Sequence, residues 1–198
     1  MIALFLLGGI SAMSLFASQS QVASEKQTQQ GQMQALIGGP FEMVDHNGKP
    51  VTDKSYLGQY IFVYFGFTYC PDICPTELQV MTEALNMMDK KQADQVKILL
   101  VSIDPERDTP KQLASYVRNF HKNTIGLTGS KAQVKQMAKA YRAYYKKVED
   151  KENPDGYTMD HSSIVYVMGP DGKYLSHFSY GTRAKVISDK MKSLMKNS

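Results

Sequence analysis

The chain has 198 residues, 42% apolar, 21% charged and 10% aromatic, a balance that allows one packed domain plus an appendage and excludes collagen-like, disordered and coiled-coil classes. Its formal charge is +4, from 23 basic and 19 acidic residues, and the basic residues are scattered apart from short pairs such as Lys146-Lys147, so there is no concentrated nucleic-acid footprint. The two cysteines, Cys70 and Cys74, exclude a multi-bridge disulfide scaffold and a Cys-rich zinc ribbon.

Residues 1–24 carry no charged side chain and are most apolar from Ile2 to Ala17. They read as a membrane anchor or signal. At about 1.5 Å per residue the apolar stretch reaches about 25 Å, just short of a hydrocarbon core of about 30 Å. No clean A-x-A cleavage site follows and no Cys is present for lipid attachment, which favours an uncleaved anchor. The basic residues that usually precede such a run are missing, which points to a natural start upstream of the numbered one. Gln and Ser dominate residues 18–38, and 25–38 reads as a solvated tether leading into a domain at 39–198.

From Gly39 onward strands and helices alternate. FEMVDHNGKPV places an Asn47-Gly48 turn between short apolar segments, a hairpin signal. IFVYFGF at 61–67 is a continuous apolar, aromatic and β-branched run, as in a strand buried on both faces. Leu78, Met81, Leu85 and Met88 then recur at helical spacing, predicting a helix over 75–91. VKILLVSID at 96–104 is a second buried strand, and Thr109-Pro110 opens a helix through about Phe120. IGLTG is a short strand, 130–145 is helical, SSIVYVMGPDGKYLSHF is a hairpin, and 182–196 is a closing helix. The 12 Met residues read as core filling, because thioethers fit irregular gaps. This order is that of a thioredoxin-like α/β domain, a mixed sheet with helices on both sides.

The segment FTYCPDICPTEL joins the first buried strand to the helix after it, so both sulfurs lie at a helix N-terminus. Unpaired amides and the helix dipole favour negative charge there, so at least one thiol should have a lowered pKa and be partly thiolate at neutral pH. Three intervening residues put the cysteines on one face, close enough for a disulfide or a shared metal ion. Two thiolates do not complete a metal site, so a third ligand is sought among His46, His121, His161 and His177. His46 adjoins the Asn-Gly turn and His121 a polar stretch, which reads as surface; His177 sits in a hairpin strand. His161, in Asp160-His161-Ser162-Ser163, directly precedes the buried strand IVYV. In a thioredoxin-like fold the loop entering that strand packs on the active thiols and ordinarily carries a cis-proline. His161 and Ser162 stand in its place, which turns a disulfide-exchange groove into a soft-metal pocket. Two thiolates and one imidazole suit copper in either oxidation state; zinc would want a fourth ligand, for which Asp160 is nearest, unless Asp160 orients His161 instead.

Four stretches together resemble the Sco/SenC family: GFTYCPDICPTEL at 66–78, SIDPERDTP at 102–110, YTMDHSS at 157–163 and VMGPDGKYLSHF at 167–178. The resemblance implies a copper chaperone with a thioredoxin-like domain that assists assembly of the dinuclear copper centre of cytochrome c oxidase subunit II. Copper would be held by Cys70, Cys74 and His161. It also implies an N-terminal inner-membrane anchor, with the domain facing the periplasm or the mitochondrial intermembrane space. The resemblance implies a metallochaperone, and the residues leave open a thiol–disulfide reductase activity beside it. The alternatives are a thiol–disulfide oxidoreductase that uses Cys70 and Cys74 on the acceptor's cysteines, or a redox or metal sensor. Asp104, Glu106, Arg107 and Asp108 of the SIDPERDTP stretch read as a salt-linked loop without assigned chemistry.

Overall fold

In the computed structural model, residues 37–152 and 156–196 are described. The expected anchor over 1–24 and nearly all of the tether lie outside the described residues. Strands β1 (Glu42–Asp45) and β2 (Pro50–Thr52) form the Asn-Gly hairpin and lead through a 3-10 turn to β3 (Tyr60–Gly66). Helices α1 (Ile73–Asn86) and α2 (Lys90–Asp94) cross over to β4 (Val96–Ser102), which pairs parallel to β3. Then come α3 (Pro110–Val117), β5 (Thr124–Thr128) and α4 (Lys131–Tyr141). A ribbon of β6 (Tyr145–Glu149) and β7 (Tyr157–His161) precedes β8 (Ile164–Met168), β9 (Tyr174–Ser179) and α5 (Ala184–Lys196). The seven-stranded sheet runs β2-β1-β5-β4-β3-β8-β9, and β6-β7 stand apart as a separate pair.

The centre of the sheet is parallel and its margins antiparallel, because β3, β4 and β5 are joined by helical crossovers and the outer strands by turns. Every residue of β3 is buried, as a strand covered on both faces requires. Its side chains alternate. Phe62, Tyr64 and Gly66 face one layer: Phe62 meets Phe178 edge-on at 6.3 Å, and Gly66 lies against Cys74 of α1. Leu113 of α3 closes on Gly126 of β5, and α1 packs along α5. On the opposite face Phe65 packs against Tyr141 of α4, ring centroids 5.6 Å apart. Helices therefore flank a mixed sheet, as the element order predicts. Met43, Met81, Met137 and Met191 are buried in that core, in keeping with their reading as gap fillers.

Several elements differ from the sequence expectation. The helix opened by Thr109-Pro110 ends at Val117 rather than near Phe120, and the closing helix starts at Ala184 rather than at 182. The helix expected over 75–91 starts at Ile73 and ends at Asn86, and a new short helix begins where the Asp89 carboxylate accepts from the Gln92 amide at 2.9 Å. The helix expected over 130–145 stops at Tyr141, since Arg142 turns left-handed at φ 54°. The β6-β7 ribbon is absent from the sequence expectation: β6 is almost wholly exposed and shows no apolar alternation to announce it.

Candidate metal centre

Helices α3 and α4 start on side-chain caps, Thr109 accepting from the Gln112 amide and Ser130 from that of Gln133. Helix α1 does not. Its N-cap, Asp72, makes no capping bond to the first-turn amides; the Cys70 sulfur accepts one of them instead, from Cys74 N at 3.4 Å. The capping role passes to a sulfur because Pro71-Asp72-Ile73 curl the loop back over the helix start. Cys74, in the first turn, is fully buried against β3, while Cys70 is half-buried.

His161 arrives from another direction, as the last residue of β7. Ser162 pins that strand end: its amide donates to the Tyr144 carbonyl at 3.0 Å, and its hydroxyl accepts from the Tyr144 amide at 3.2 Å. The imidazole stands edge-on to Phe67 and Tyr64, centroids 6.0 and 6.1 Å away. Its Nδ1 lies 3.3 Å from the Ser162 carbonyl and its Nε2 lies 3.5 Å from Cys74 Sγ. With the ring proton on Nδ1, toward that carbonyl, the Nε2 lone pair faces the sulfurs as metal ligation requires; with the proton on Nε2, the ring donates to the sulfurs instead. The ligand atoms of Cys70, Cys74 and His161 all fall within 4.8 Å of one another.

The cysteines are free thiols that share charge unequally. Cys70 is held down to about 4, first by the hydrogen bond from the Cys74 thiol, then by His161 and the Cys74 amide. Cys74 is pushed up by its bond to Cys70, by burial and by the Cys70 charge. One sulfur of the pair is thus thiolate at neutral pH and the other keeps its proton, in line with the expectation of one activated thiol. Two sulfurs and one imidazole, half open to solvent through Cys70, form a soft donor set that fits copper.

Other expectations change. Asp160 is exposed and outside this group, because neighbouring residues of a strand point to opposite faces; the Ser162 carbonyl takes the orienting position instead. His46 and His121 are half-buried rather than surface residues. Each accepts a backbone amide through Nδ1, from Gly126 and Asn123 respectively, both at 3.2 Å. His177 is exposed and paired with the Tyr174 hydroxyl.

The SIDPERDTP stretch gains a physical role. Arg107 pairs with Asp104 at 2.5 Å, and Glu106 pairs with Lys131 and Lys147. Asp108 departs from the salt-linked reading: buried, it accepts from the Ser102 hydroxyl at 2.6 Å, the Thr68 hydroxyl at 2.6 Å and the Thr68 amide at 3.1 Å. Asp104 accepts from the Tyr157 hydroxyl at 3.0 Å. The loop between β4 and α3 therefore grips Thr68, two residues before Cys70, and Tyr157, four residues before His161. Local sequence patterns do not carry these contacts, because the partners lie 40 and 53 residues away.

The SCO1/SenC family model matches residues 29–196. The mitochondrial SCO1 homolog of Mus musculus is 40% identical over 196 residues, covering 98% of this chain and 69% of that protein. The Homo sapiens homolog is 41% identical over 182 residues, covering 90% of this chain and 60% of that protein. Among solved structures, Arabidopsis thaliana ScoI with copper bound superposes with a TM-score of 0.78 at 37% identity, over 82% of this chain and 99% of that one. Bradyrhizobium japonicum ScoI with copper bound gives 0.72 at 42%, over 79% and 98%. BsSco, described as a member of the Sco family of cytochrome c oxidase assembly proteins with a disulfide switch, gives 0.63 at 30%, over 82% and 95%. With its family match reaching from residue 29 to the end of α5 at Lys196, this chain belongs to the SCO1/SenC family.

Proposed function

We propose that the protein is a copper chaperone that holds copper between Cys70, Cys74 and His161 and assists assembly of the dinuclear copper centre of cytochrome c oxidase subunit II. The observation that carries this reading is the convergence of two sulfurs and one imidazole nitrogen within 4.8 Å, from a loop, a helix and a strand. Copper in the Arabidopsis and Bradyrhizobium relatives supports it. So does the description of BsSco as a cytochrome c oxidase assembly protein. In this reading residues 1–24 anchor the chain in a membrane, 25–38 are the tether, and 39–198 are the copper-binding domain. The domain faces the periplasm or the mitochondrial intermembrane space, in keeping with the mitochondrial relatives. Among the described residues no helix is long and apolar enough to cross a membrane.

A second reading, thiol–disulfide exchange on the acceptor's cysteines, draws on the lowered Cys70 thiol beside a protonated Cys74. That is an attacking thiolate next to a resolving thiol. His161→Ala separates the two. Cu(I) is held by two thiolates almost alone, whereas Cu(II) prefers nitrogen in its ligand set. The variant should lose the thiolate-to-Cu(II) absorption band, keep its dithiol, and fail to restore oxidase activity to cells lacking the native protein. Full oxidase activity with the band lost would move the function to thiol reduction.

A further inference from the structure

Strand β3 places one polar atom under the metal centre. Tyr64 is fully buried and lies on the same face as Gly66, beneath the first turn of α1. Its hydroxyl donates to Cys74 Sγ across 3.8 Å, a length normal for sulfur with its large radius, and the Ser163 side chain reaches the same hydroxyl. Its ring meets the His161 imidazole edge-on, at 76°. Gly66 makes the approach possible, since a Cβ there would stand 2.9 Å from Cys74 Sγ and 3.0 Å from Tyr64 Cε1. The neighbouring Phe62 and Phe65 are just as buried without a hydroxyl. A phenol at this depth costs stability unless its O–H finds a partner, and the sulfur of Cys74 is that partner.

We infer that Tyr64 is a positioning residue of the copper centre, whose hydrogen bond to the Cys74 sulfur draws electron density from that ligand and biases bound copper toward Cu(I). The inference rests on the copper reading above. A thiolate donates charge to copper, and the more electron-poor Cu(II) gains most from it. A hydrogen bond competes for the same sulfur lone pairs, so it weakens Cu(II) more than Cu(I). The bond also fixes Cys74 Sγ on the side that faces His161 Nε2.

Tyr64→Phe in the full chain removes one oxygen and keeps the ring. The test loads wild type and variant with Cu(II), records the thiolate-to-Cu(II) band, and titrates each with a chemical reductant that supplies the single electron converting Cu(II) to Cu(I). The band should move to longer wavelength in the variant, because a sulfur relieved of its hydrogen bond gives up charge more easily. At a fixed ambient potential the Cu(II):Cu(I) ratio should rise by roughly tenfold, the scale of one buried hydrogen bond to a charged group. A purely structural role would lower the melting temperature and leave band and ratio in place. An unmoved band and ratio in a folded, copper-loaded variant overturn the inference alone. A wild-type protein that retains neither Cu(I) nor Cu(II) overturns the copper reading, and the inference falls with it; one that retains copper but shows no Cu(II) band overturns the inference alone. Should Tyr64→Phe not fold, the double variant with Ser163→Ala, which removes the other group at that hydroxyl, is measured in the same way: a band moved to longer wavelength supports the inference, and an unmoved band overturns it.

Discussion

The guanidinium of Arg107 lies 3.8 Å over the ring of Tyr157 and 4.6 Å over the ring of Tyr69. Tyr69 directly precedes Cys70, and Tyr157 opens the strand that ends at His161. One cation, fixed by Asp104, is therefore stacked between the segments that carry Cys70 and His161. Lys147 reaches the same Tyr157 ring at 3.6 Å, so the brace extends onto the β6-β7 ribbon.

Removing that cation should loosen both segments at once. Arg107→Ala leaves Asp104, which is buried, without its ion-pair partner, and loss of about 3 kcal/mol of stability is expected. Copper affinity should fall at least roughly tenfold, as for other residues that orient metal ligands from behind. Arg107→Lys restores charge but not the planar stack, and should recover stability better than affinity. Denaturant melts and competition with a Cu(I) chelator measure the two; unchanged affinity in both variants would contradict the bracing role.

The unequal thiols predict a distinct pH profile. An ordinary cysteine alkylates about tenfold faster per pH unit until its pKa of about 8.5 is passed. Cys70, held down to about 4, is thiolate across that range, so its rate should be nearly flat from about pH 5 upward. Cys74, pushed up by Cys70 and by burial, should stay slow in the metal-free protein. Mass-spectrometric mapping of iodoacetamide adducts between pH 4 and 9 checks this. A Cys70 rate that climbs tenfold per unit through pH 5–8 would contradict the assignment.

The same inequality sets the sign of the pH dependence of copper binding. Cys70 has already lost its proton at neutral pH, but Cys74 must lose its own to become a ligand, so the thiol pair releases about one proton per copper and affinity rises with pH. Calorimetry in buffers of different protonation enthalpy counts that proton. Binding that released no proton would leave Cys74 outside the ligand set.

Space around the sulfur is equally specific. Gly66→Ala would place a methyl 2.9 Å from Cys74 Sγ and 3.2 Å from Leu100 Cδ1. The neighbours are buried and cannot withdraw, so overpacking of about 1–3 kcal/mol is expected, with Cys74 displaced from His161 and weaker copper binding. Wild-type copper affinity in a Gly66→Ala protein would show that the close contact of β3 and α1 does not set the site.

The parts of this protein legible in the sequence share one property: their signals are local. The unbroken apolar runs of β3 and β4, the Asn-Gly hairpin and the Pro-flanked CxxxC are each written within a few consecutive residues, and the structure keeps them in place. His161 is legible only by way of the expected fold, since it lies 87 residues from Cys74. Asp160 looks like a candidate beside it because adjacency in sequence hides the alternation of a strand. Tyr64 reads as one more aromatic residue in a buried strand, and nothing local marks its hydroxyl as aimed at a sulfur. The roles of Asp108 and Arg107 likewise exist only once β3, β7 and the loop after β4 are brought together.

Cys70 and Cys74 as the copper ligands are the central claim, and the metal content of two variants tests it most directly. Wild type, Cys70→Ser and Cys74→Ser, each as the full chain, are loaded with Cu(I) under reducing conditions, freed of excess metal and assayed for copper per chain. Wild type should retain about one copper and either serine variant almost none, because each substitution removes half of the soft ligand set. Stoichiometric copper retained by either variant would contradict the assignment.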